Sequence, residues 1–463
     1  MHAVDYSLIV LYLVCLLGLG FYRRLSRSSS VAELIVGGRV LTLPAFVASL
    51  VSTWYGGILG VGEYSYLHGL SNWLVFGVPY YLAALLFALF LAEKARRSEV
   101  LTIPERLAQT YDDRTAVLGS VIIFVMTVPA AYVLMLGVLC EALFGWPFWA
   151  GVAAGTLFSI VYVFLGGFRS VVRTDLLQFG LMFAGFIVLF AVLVSGYGSL
   201  EFLRAALPAG HLTWHGGRSG WYIATWYVIA LATLIEPAFY QRCYAVRDAR
   251  TARTGILVSI VCWMVFDFLT TSCGLYARAL LPDLADPVAS FPTLALRVLP
   301  SGLLGLFALS LLATVMSTVD SYSFIAASTF GNDIAGRLAR LTDRQILFYT
   351  RLGLLISVVL AVVLAVFFRS VVDIWYTLGS IGTPALLVPV FFSFVGRRRL
   401  SPTAAFAVVV VSGLVSLVWY LSQYLTPTGN YWFDLQPIFP GLLISVILFF
   451  ALAGRSTPSL QDR

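Results

Sequence analysis

Hydroxyl side chains recur along one face of an apolar segment that contains the sequence LLATVMSTVDSYS at positions 311–323. Their spacing of i, i+4, i+7, i+8 and i+11 places five of them on one side of an α-helix, at Ser310, Thr314, Ser317, Thr318 and Ser321. One such residue in an apolar helix is explained by a hydrogen bond to the carbonyl one turn earlier, but a whole row is not. Because hard cations prefer oxygen ligands, the row predicts a sodium site.

Acidic residues inside other apolar segments form a second group of candidates, because charged side chains at membrane depth are costly and usually functional. They are Glu63, Asp175, Glu236, Asp267 and Asp320. Asp175 has a simpler explanation as an acid near the start of its helix, close to Arg169 and Arg173. Glu236 also has a simpler explanation, as a buried acid paired with Arg242 or with a hydrogen-bond donor from a loop. Asp267 has no neighbouring motif, and we interpret it as structural.

The elements that carry these residues follow from composition. The chain has 463 residues, of which 60% are hydrophobic and only 11% are charged, whereas soluble proteins carry about 25% charged residues. The sequence therefore predicts an all-α polytopic membrane protein that lies in the lipid bilayer. Its basic residues form short clusters between apolar runs, which argues against a nucleic-acid partner. The four histidines are scattered as well, so no clustered catalytic set indicates an enzyme.

A helix needs about 20 mostly apolar residues to cross a bilayer, and about thirteen segments meet this condition. They lie approximately at 5–22, 43–67, 71–93, 115–143, 147–165, 171–195, 219–241, 253–280, 299–328, 346–368, 371–395, 402–423 and 436–453. With the N-terminus outside, 24 of the 29 Lys and Arg residues fall on one side of the membrane, which the positive-inside rule makes cytoplasmic. We therefore predict a multi-pass protein of the cell (inner) membrane with an outer N-terminus and a cytoplasmic C-terminus.

Two of these segments contain helix-breaking residues. The segment at 43–67 carries four glycines within STWYGGILGVG, and each glycine costs a helix about 1 kcal/mol relative to alanine. The segment at 219–241 contains Pro237, which removes a backbone donor and disfavours helix at Glu236. The two segments lie five helices apart and therefore run in opposite directions, which is the pattern of an inverted five-helix repeat with two broken helices. Small-residue packing is the alternative explanation for the glycines.

The repeat divides a single membrane domain, residues 1–463, into four parts. We predict an extra N-terminal helix, a first repeat, an inverted second repeat and two C-terminal helices, at 5–22, 43–195, 219–395 and 402–453. Two discontinuous helices that meet at the bilayer midplane leave backbone groups free there, and these can supply further oxygen ligands to a cation.

Five motifs together resemble those of the solute:sodium symporter family: SLVSTWYGGILGVGEYSYLHGL, TIPERLAQTY, GGFRSVVRTDLLQ, EPAFYQRCYAVRDARTAR and LLATVMSTVDS. That family includes bacterial proline, galactose and sialic acid symporters and the iodide and glucose transporters. The resemblance covers roughly residues 5–450. It implies the LeuT-type inverted-repeat fold, with thirteen helices and the N-terminus outside.

The resemblance also implies a sodium site between the first broken segment and the row of hydroxyls. Its ligands, transferred motif by motif, are the carbonyl oxygens of Leu50, Thr53 and Thr314 and the hydroxyls of Ser317 and Thr318. Some members of the family bind a second sodium ion with the acid of the TD motif, which in this chain is Asp175. Such members carry a serine where this chain has Thr314.

By the same resemblance, the solute binds between the two broken segments. The residues expected to face it are Ser52, Trp54, Tyr55 and Gly57 on the first segment and Thr233 and Glu236 on the second. Several members carry polar amides near the positions of Gly57 and Glu236, so their absence here disfavours a sugar. The acid at Glu236 favours a cationic or zwitterionic solute, unless it is paired within the protein.

These features predict a secondary active transporter that imports a small organic solute together with sodium (Na⁺) by alternating access. Two alternatives stay open. The same fold could be coupled to protons, with Asp175 or Glu236 as the proton carrier. The chain could also be a solute sensor that does not transport, although only about ten residues follow the last predicted helix, which leaves little room for an output domain.

Overall fold

The computed structural model describes residues 1–22, 30–367, 371–396 and 398–455. Within this part of the chain, eleven helices are long and apolar enough to cross a membrane. Two shorter apolar helices, Phe148–Val161 and Ile438–Leu452, coincide with the two remaining predicted segments. The predicted all-α polytopic architecture is therefore confirmed, while the exact number of thirteen spans stays a prediction.

Several spans consist of two consecutive helices. The α-helices are Ala3–Phe21, Val31–Val36, Leu43–Trp54, Ile58–His68, Val78–Phe90, Ala92–Arg97, Ile103–Thr110, Asp113–Met126, Ala130–Phe144, Phe148–Tyr197, Leu200–Ala206, Gly220–Ile229, Pro237–Ala245, Ala249–Leu280, Ser290–Val298, Leu303–Ser328, Gly336–Ala339, Asp343–Phe367, Val371–Phe394, Pro402–Leu421 and Ile438–Leu452. Short 3₁₀ and π turns lie at Tyr55–Gly57, Trp73–Gly77, Ala230–Ile235, Pro287–Ala289, Thr329–Ala335, Ser422–Tyr424 and Trp432–Asp434. A two-stranded antiparallel sheet pairs Arg398–Arg399 with Gly454–Arg455.

The helix Leu303–Ser328, called the hydroxyl helix below, lies at the centre of the fold. Nearly all of its side chains are buried, and it packs most extensively against the helix Phe148–Tyr197. The N-terminal helix Ala3–Phe21, by contrast, buries only five of its nineteen residues. Because protein surrounds the hydroxyl helix, its polar side chains must find hydrogen-bond partners within the protein.

The first broken helix, Leu43–His68, departs from regular helix by only one turn. The α-helices Leu43–Trp54 and Ile58–His68 are joined by a 3₁₀ turn at Tyr55–Gly57. No residue of this turn has a positive φ angle, so the glycines here are not required by a left-handed backbone. Their role is the close approach of neighbouring side chains.

The second broken helix, Gly220–Ala245, is fully interrupted. Its first half ends in a 3₁₀ turn at Ala230–Ile235, and Glu236 is extended with φ −66° and ψ 113°. Pro237 begins the second half, where its missing N–H costs nothing and its fixed φ suits a helix. The carboxylate of Glu236 accepts a hydrogen bond from the amide of Ala238 at 3.3 Å. The interruption therefore lies where Pro237 predicts it.

The structure interrupts further spans that the sequence analysis treats as continuous. The segment predicted at 115–143 is divided into Asp113–Met126 and Ala130–Phe144, because Pro129 ends one helix and precedes the next. The long helix Phe148–Tyr197 is kinked at Gly167, which has φ 59°. Discontinuous backbone is thus not confined to the two broken helices.

Six of the arginines on which the predicted membrane orientation depends lie outside the described residues: Arg23, Arg24, Arg27, Arg369, Arg397 and Arg463. Arg242, predicted to be a cytoplasmic charge, is completely buried in the structure. The orientation, and the division into parts at 5–22, 43–195, 219–395 and 402–453, stay predictions.

Candidate functional site

The first broken helix meets the hydroxyl helix through two pairs of polar groups. The hydroxyl of Thr318 donates a 2.7 Å hydrogen bond to the carbonyl of Thr53, and Ser317 Oγ lies 2.9 Å from Ser52 Oγ. Thr53 is in the last turn of Leu43–Trp54, where carbonyl groups lack partners within their own helix. A Cβ atom on Gly56 would lie 2.0 Å from the Thr318 hydroxyl, so this glycine permits the approach.

Asp175 lies fully buried beside these groups. Its Oδ1 accepts a hydrogen bond from Ser317 at 2.7 Å, and its Oδ2 accepts one from Ser49 at 2.5 Å. Asp175 lies about two turns beyond the kink at Gly167 in the helix Phe148–Tyr197, so it is not an acid of a first helical turn. Arg173, its proposed neighbour, instead donates to the carbonyl of Tyr22.

Arg242 supplies the positive charge that balances Asp175. Both side chains are completely buried, and Arg242 Nη2 lies 3.5 Å from Asp175 Oδ2. The same nitrogen lies 2.7 Å from Ser321 Oγ, 2.9 Å from Thr53 Oγ1 and 3.0 Å from Ser49 Oγ. We call this group the hydroxyl cluster, and its members are Ser49, Ser52, Thr53, Asp175, Arg242, Ser317, Thr318 and Ser321.

The hydroxyl cluster contains three of the five predicted sodium ligands in direct contact, namely Thr53, Ser317 and Thr318. Leu50 lies one turn earlier, inside the regular helix Leu43–Trp54. The hydroxyl of Thr314 donates back to the carbonyl of Ser310 at 2.7 Å, and its own carbonyl lies 3.4 Å from the Thr318 hydroxyl. The oxygen atoms of this cluster suit a hard cation.

A cavity of about 220 Å³ lies between the two broken helices, and we call it the aromatic cavity. The first broken helix contributes Trp54, Tyr55 and Gly57 to its wall, and the second contributes Glu236. Nine of the lining side chains are aromatic. A Cβ atom on Gly57 would lie 2.1 Å from the ring of Trp375, so this glycine sets how closely that ring approaches.

Two carboxylates line the aromatic cavity. Glu236 accepts a 3.0 Å hydrogen bond from the hydroxyl of Tyr322, and it forms no ion pair with Arg242, its expected partner. Asp267 accepts hydrogen bonds from the hydroxyls of Tyr55 and Tyr81. The interpretation of Asp267 as structural missed its place in the cavity wall. The sequence did contain a signal for such a role, because Asp267 is an acidic residue in the middle of the long apolar helix Ala249–Leu280.

Two residues expected to face the solute lie elsewhere. Ser52 belongs to the hydroxyl cluster, and its hydroxyl also donates to the carbonyl of Ala48 at 2.8 Å. Thr233 is buried at the interruption of the second broken helix, and among the described residues its hydroxyl has no hydrogen-bond partner. Neither side chain lines the aromatic cavity.

The hydroxyl cluster and the aromatic cavity are joined through consecutive residues. Ser321 contacts Arg242, while the next residue, Tyr322, donates to Glu236. An oxygen-rich buried cluster beside a solute-sized cavity, both at discontinuous helices, is the arrangement of a secondary membrane transporter.

Comparison with known proteins gives the family. The model of the sodium:solute symporter family matches residues 34–411. The osmoregulated proline transporter OpuE of Bacillus subtilis is 24% identical, with 94% of this chain and 92% of that protein covered. The sodium/proline symporter of Staphylococcus aureus (strain JH9) is also 24% identical, with 97% of this chain and 92% of that protein covered.

Solved structures have the same fold. The outward-open, substrate-bound structure of a Na⁺-coupled sialic acid symporter superposes with a TM-score of 0.80 at 17% identity, covering 99% of this chain and 100% of that one. The nucleobase-cation-symport-1 transporter Mhp1 in a closed conformation gives a TM-score of 0.62 at 14% identity, covering 92% and 95%. The predicted LeuT-type transporter fold is thereby confirmed.

The chain belongs to the sodium:solute symporter family, a family of multi-pass membrane transporters that couple a small solute to sodium. Membership of this family implies sodium as the coupling ion.

Proposed function

We propose that the protein imports a small organic solute together with sodium by alternating access, and that it catalyses no chemical reaction. The main support for the proposal is the 2.7 Å hydrogen bond from the hydroxyl of Thr318 to the carbonyl of Thr53, directly beside the aromatic cavity. Sodium is the cargo that these oxygen atoms would bind, with the hydroxyl of Ser317 as a further ligand. Asp175 would add a carboxylate oxygen for a second ion.

The coupling ion can be tested on purified protein without knowledge of the solute. Sodium chloride should raise the melting temperature more than potassium chloride at equal ionic strength, because an ion that binds only the folded state stabilises it. Potassium, and not choline, replaces sodium in the control buffer, because choline is an organic cation and is itself a candidate ligand of the solute site. Equal melting temperatures in the two salts would contradict a sodium site.

Transport is tested with the protein in proteoliposomes, with radiolabelled proline as the first probe because the similar proteins above are proline transporters. An inward sodium gradient should drive accumulation, and a potassium gradient should not. The proton-coupled alternative requires Asp175 or Glu236 to carry the proton. Accumulation that follows an inward proton gradient without sodium would support that alternative instead.

We also propose that the protein lies in the cell (inner) membrane with its N-terminus outside. Single cysteines introduced into a cysteine-free variant test this orientation. A cysteine at Gly210 should react with an impermeant thiol reagent in intact cells, and one at Arg398 should not. The reverse pattern would overturn the orientation.

A further inference from the structure

We infer that the solute carries a positive charge, as an amine or a quaternary ammonium group, and that Asp267 and Glu236 bind it in the aromatic cavity. This inference deepens the proposed function, because it assigns a substrate class to the same transport site. Asp267 has two tyrosine partners and lines the cavity. The inference rests on the balance of charges, the direction of hydrogen bonds and the aromatic walls.

The charge balance differs from that of the hydroxyl cluster. Among the described residues that line the aromatic cavity, two are acidic and none is Lys, Arg or His. Asp175 has Arg242 as its counter-charge at 3.5 Å, whereas Asp267 and Glu236 form no ion pair in the described part of the chain. A carboxylate removed from water costs several kcal/mol unless an opposite charge compensates it. A cationic solute would supply that charge.

The hydrogen bonds around both carboxyl groups suit the ionised form of the acids. An ionised carboxylate only accepts hydrogen bonds, and each tyrosine hydroxyl has one proton to donate. Tyr55 and Tyr81 approach different oxygen atoms of Asp267, so both oxygens accept. Glu236 accepts from Tyr322 and from a backbone amide with a single oxygen, Oε1. These donors fix the two carboxylates without neutralising them.

The aromatic walls suit the same ligand. Trp54 packs edge-on against Tyr80 with ring centroids 5.7 Å apart, and Tyr132 lies 6.0 Å from Trp375 and 5.3 Å from Tyr322. Aromatic faces attract ammonium groups, most strongly where water is excluded. A cavity of roughly 150 Å³ takes up benzene in another protein, so about 220 Å³ accommodates a solute somewhat larger than one ring.

A carboxylate on the solute would weaken binding, because it would bring a third negative charge close to Asp267 and Glu236. The inference therefore ranks pairs of compounds that differ mainly in this group. Choline is compared with glycine betaine, agmatine with arginine and pyrrolidine with proline. The member without the carboxylate should bind at least tenfold more tightly in each pair.

The experiment is calorimetric titration of purified full-length protein with these six compounds, in sodium and in potassium chloride. Asp267→Asn and Glu236→Gln should each weaken binding of the best cationic compound by about ten- to a hundredfold. Asp333→Asn is the matched control. Asp333 is another buried acid, which accepts hydrogen bonds from Thr102 and Asn332, and it does not line the cavity. Its variant should keep the wild-type affinity.

The outcomes separate this inference from the proposed function. If the carboxylate-bearing members bind more tightly than their partners, and only in sodium, the substrate class is wrong and sodium coupling stands. If the cationic members bind equally well in both salts, the substrate class stands and sodium coupling fails. The ranking of the six compounds is measured on the wild-type protein and does not depend on whether a variant folds. Trp375→Leu removes an aromatic face of the cavity without changing a carboxylate, and it should selectively weaken binding of the cationic compounds. Unchanged affinity in Asp267→Asn and Glu236→Gln would also overturn the inference.

Discussion

The hydroxyl cluster and the aromatic cavity treat buried negative charge in opposite ways. In the cluster, Asp175 is enclosed by two serine hydroxyls and the guanidinium of Arg242. In the cavity, Asp267 and Glu236 receive tyrosine hydroxyls but no counter-charge from the lining residues that the structure describes. Both regions draw residues from the same three elements, namely the first broken helix, the second broken helix and the hydroxyl helix.

This difference indicates that the two regions have different roles. In the hydroxyl cluster the buried charge of Asp175 is balanced before any ligand binds, because its partners all belong to the protein. In the aromatic cavity the two acids lack a counter-charge, so binding of a cationic ligand there should stabilise the folded protein. Substitutions in the first region are therefore expected to affect mainly stability and sodium, and those in the second mainly the solute.

The largest effect is expected when the counter-charge of the hydroxyl cluster is removed. Arg242→Ala leaves Asp175 buried without a counter-charge, which should lower stability by about 3–5 kcal/mol. Thermal or denaturant unfolding of the purified variant measures this. The control is Arg253→Ala, which breaks the half-exposed pair with Glu93 at 3.6 Å and should cost about 0–1 kcal/mol.

A second variant shows whether the loss comes from the unpaired charge. Adding Asp175→Asn to Arg242→Ala removes the stranded carboxylate, so the double variant should unfold at a higher temperature than Arg242→Ala alone. A double variant that is less stable than either single one would mean that the pair does not act as a unit.

The next effect concerns sodium. Ser317→Ala and Thr318→Ala each remove a hydroxyl oxygen, and each should raise the sodium concentration for half-maximal stabilisation by about ten- to a hundredfold. Ser310→Ala is the control, since this hydroxyl donates only to the carbonyl of Phe307 in its own helix. A control that shifts as far as the two test variants would remove the cluster from sodium binding.

Two neighbouring glycines allow the regions to be disturbed separately. An added Cβ would meet the Thr318 hydroxyl at Gly56 and the Trp375 ring at Gly57, and such overpacking costs about 1–3 kcal/mol. Gly56→Ala should weaken sodium-dependent stabilisation, and Gly57→Ala should weaken solute binding. Gly180→Ala, with nothing within 4 Å of the added atom, controls for the helical substitution. Equal effects of both variants on both ligands would show that the regions cannot be separated.

The smallest effect is expected outside both regions, at the start of the helix Ala249–Leu280. Asp248 accepts 2.8 Å hydrogen bonds from the amide and the hydroxyl of Thr251, and these bonds lower the pKa of Asp248. Asp248→Ala should cost about 0.5–2 kcal/mol through loss of the cap, with sodium and solute binding unchanged. Because the folded pKa is depressed, this contribution is present at neutral pH and is lost as pH falls through the folded value. A melting curve at neutral and acidic pH checks both points.

Much of the fold could be predicted because its signals are local. Apolar segments of about 20 residues define spans regardless of their partners, and Pro237 dictates the interruption at Glu236 by its own chemistry. The division at Pro129 has the same cause but lies inside a segment that reads as continuously apolar. Whether Pro129 divides this span depends on how the surrounding helices pack against it, and that packing cannot be read from the sequence.

The sites were less predictable because they depend on pairing between distant segments. The hydroxyl row identified one wall of the cluster, since five residues share one helical face. Arg242 lies in a basic stretch and resembles a cytoplasmic charge, and only tertiary packing brings it beside Asp175. Asp267 becomes a cavity residue through Tyr55 and Tyr81, which are 212 and 186 positions away in the chain.

The adjacency of Ser321 and Tyr322 has a thermodynamic consequence. One residue contacts the cluster and the next contacts the cavity, so a displacement of the hydroxyl helix changes the free energy of both sites. Equilibrium linkage makes such coupling reciprocal: if sodium raises the affinity for the solute by a given factor, the solute must raise the affinity for sodium by the same factor. One helical turn thus allows the concentration gradient of the ion to set the occupancy of the solute site.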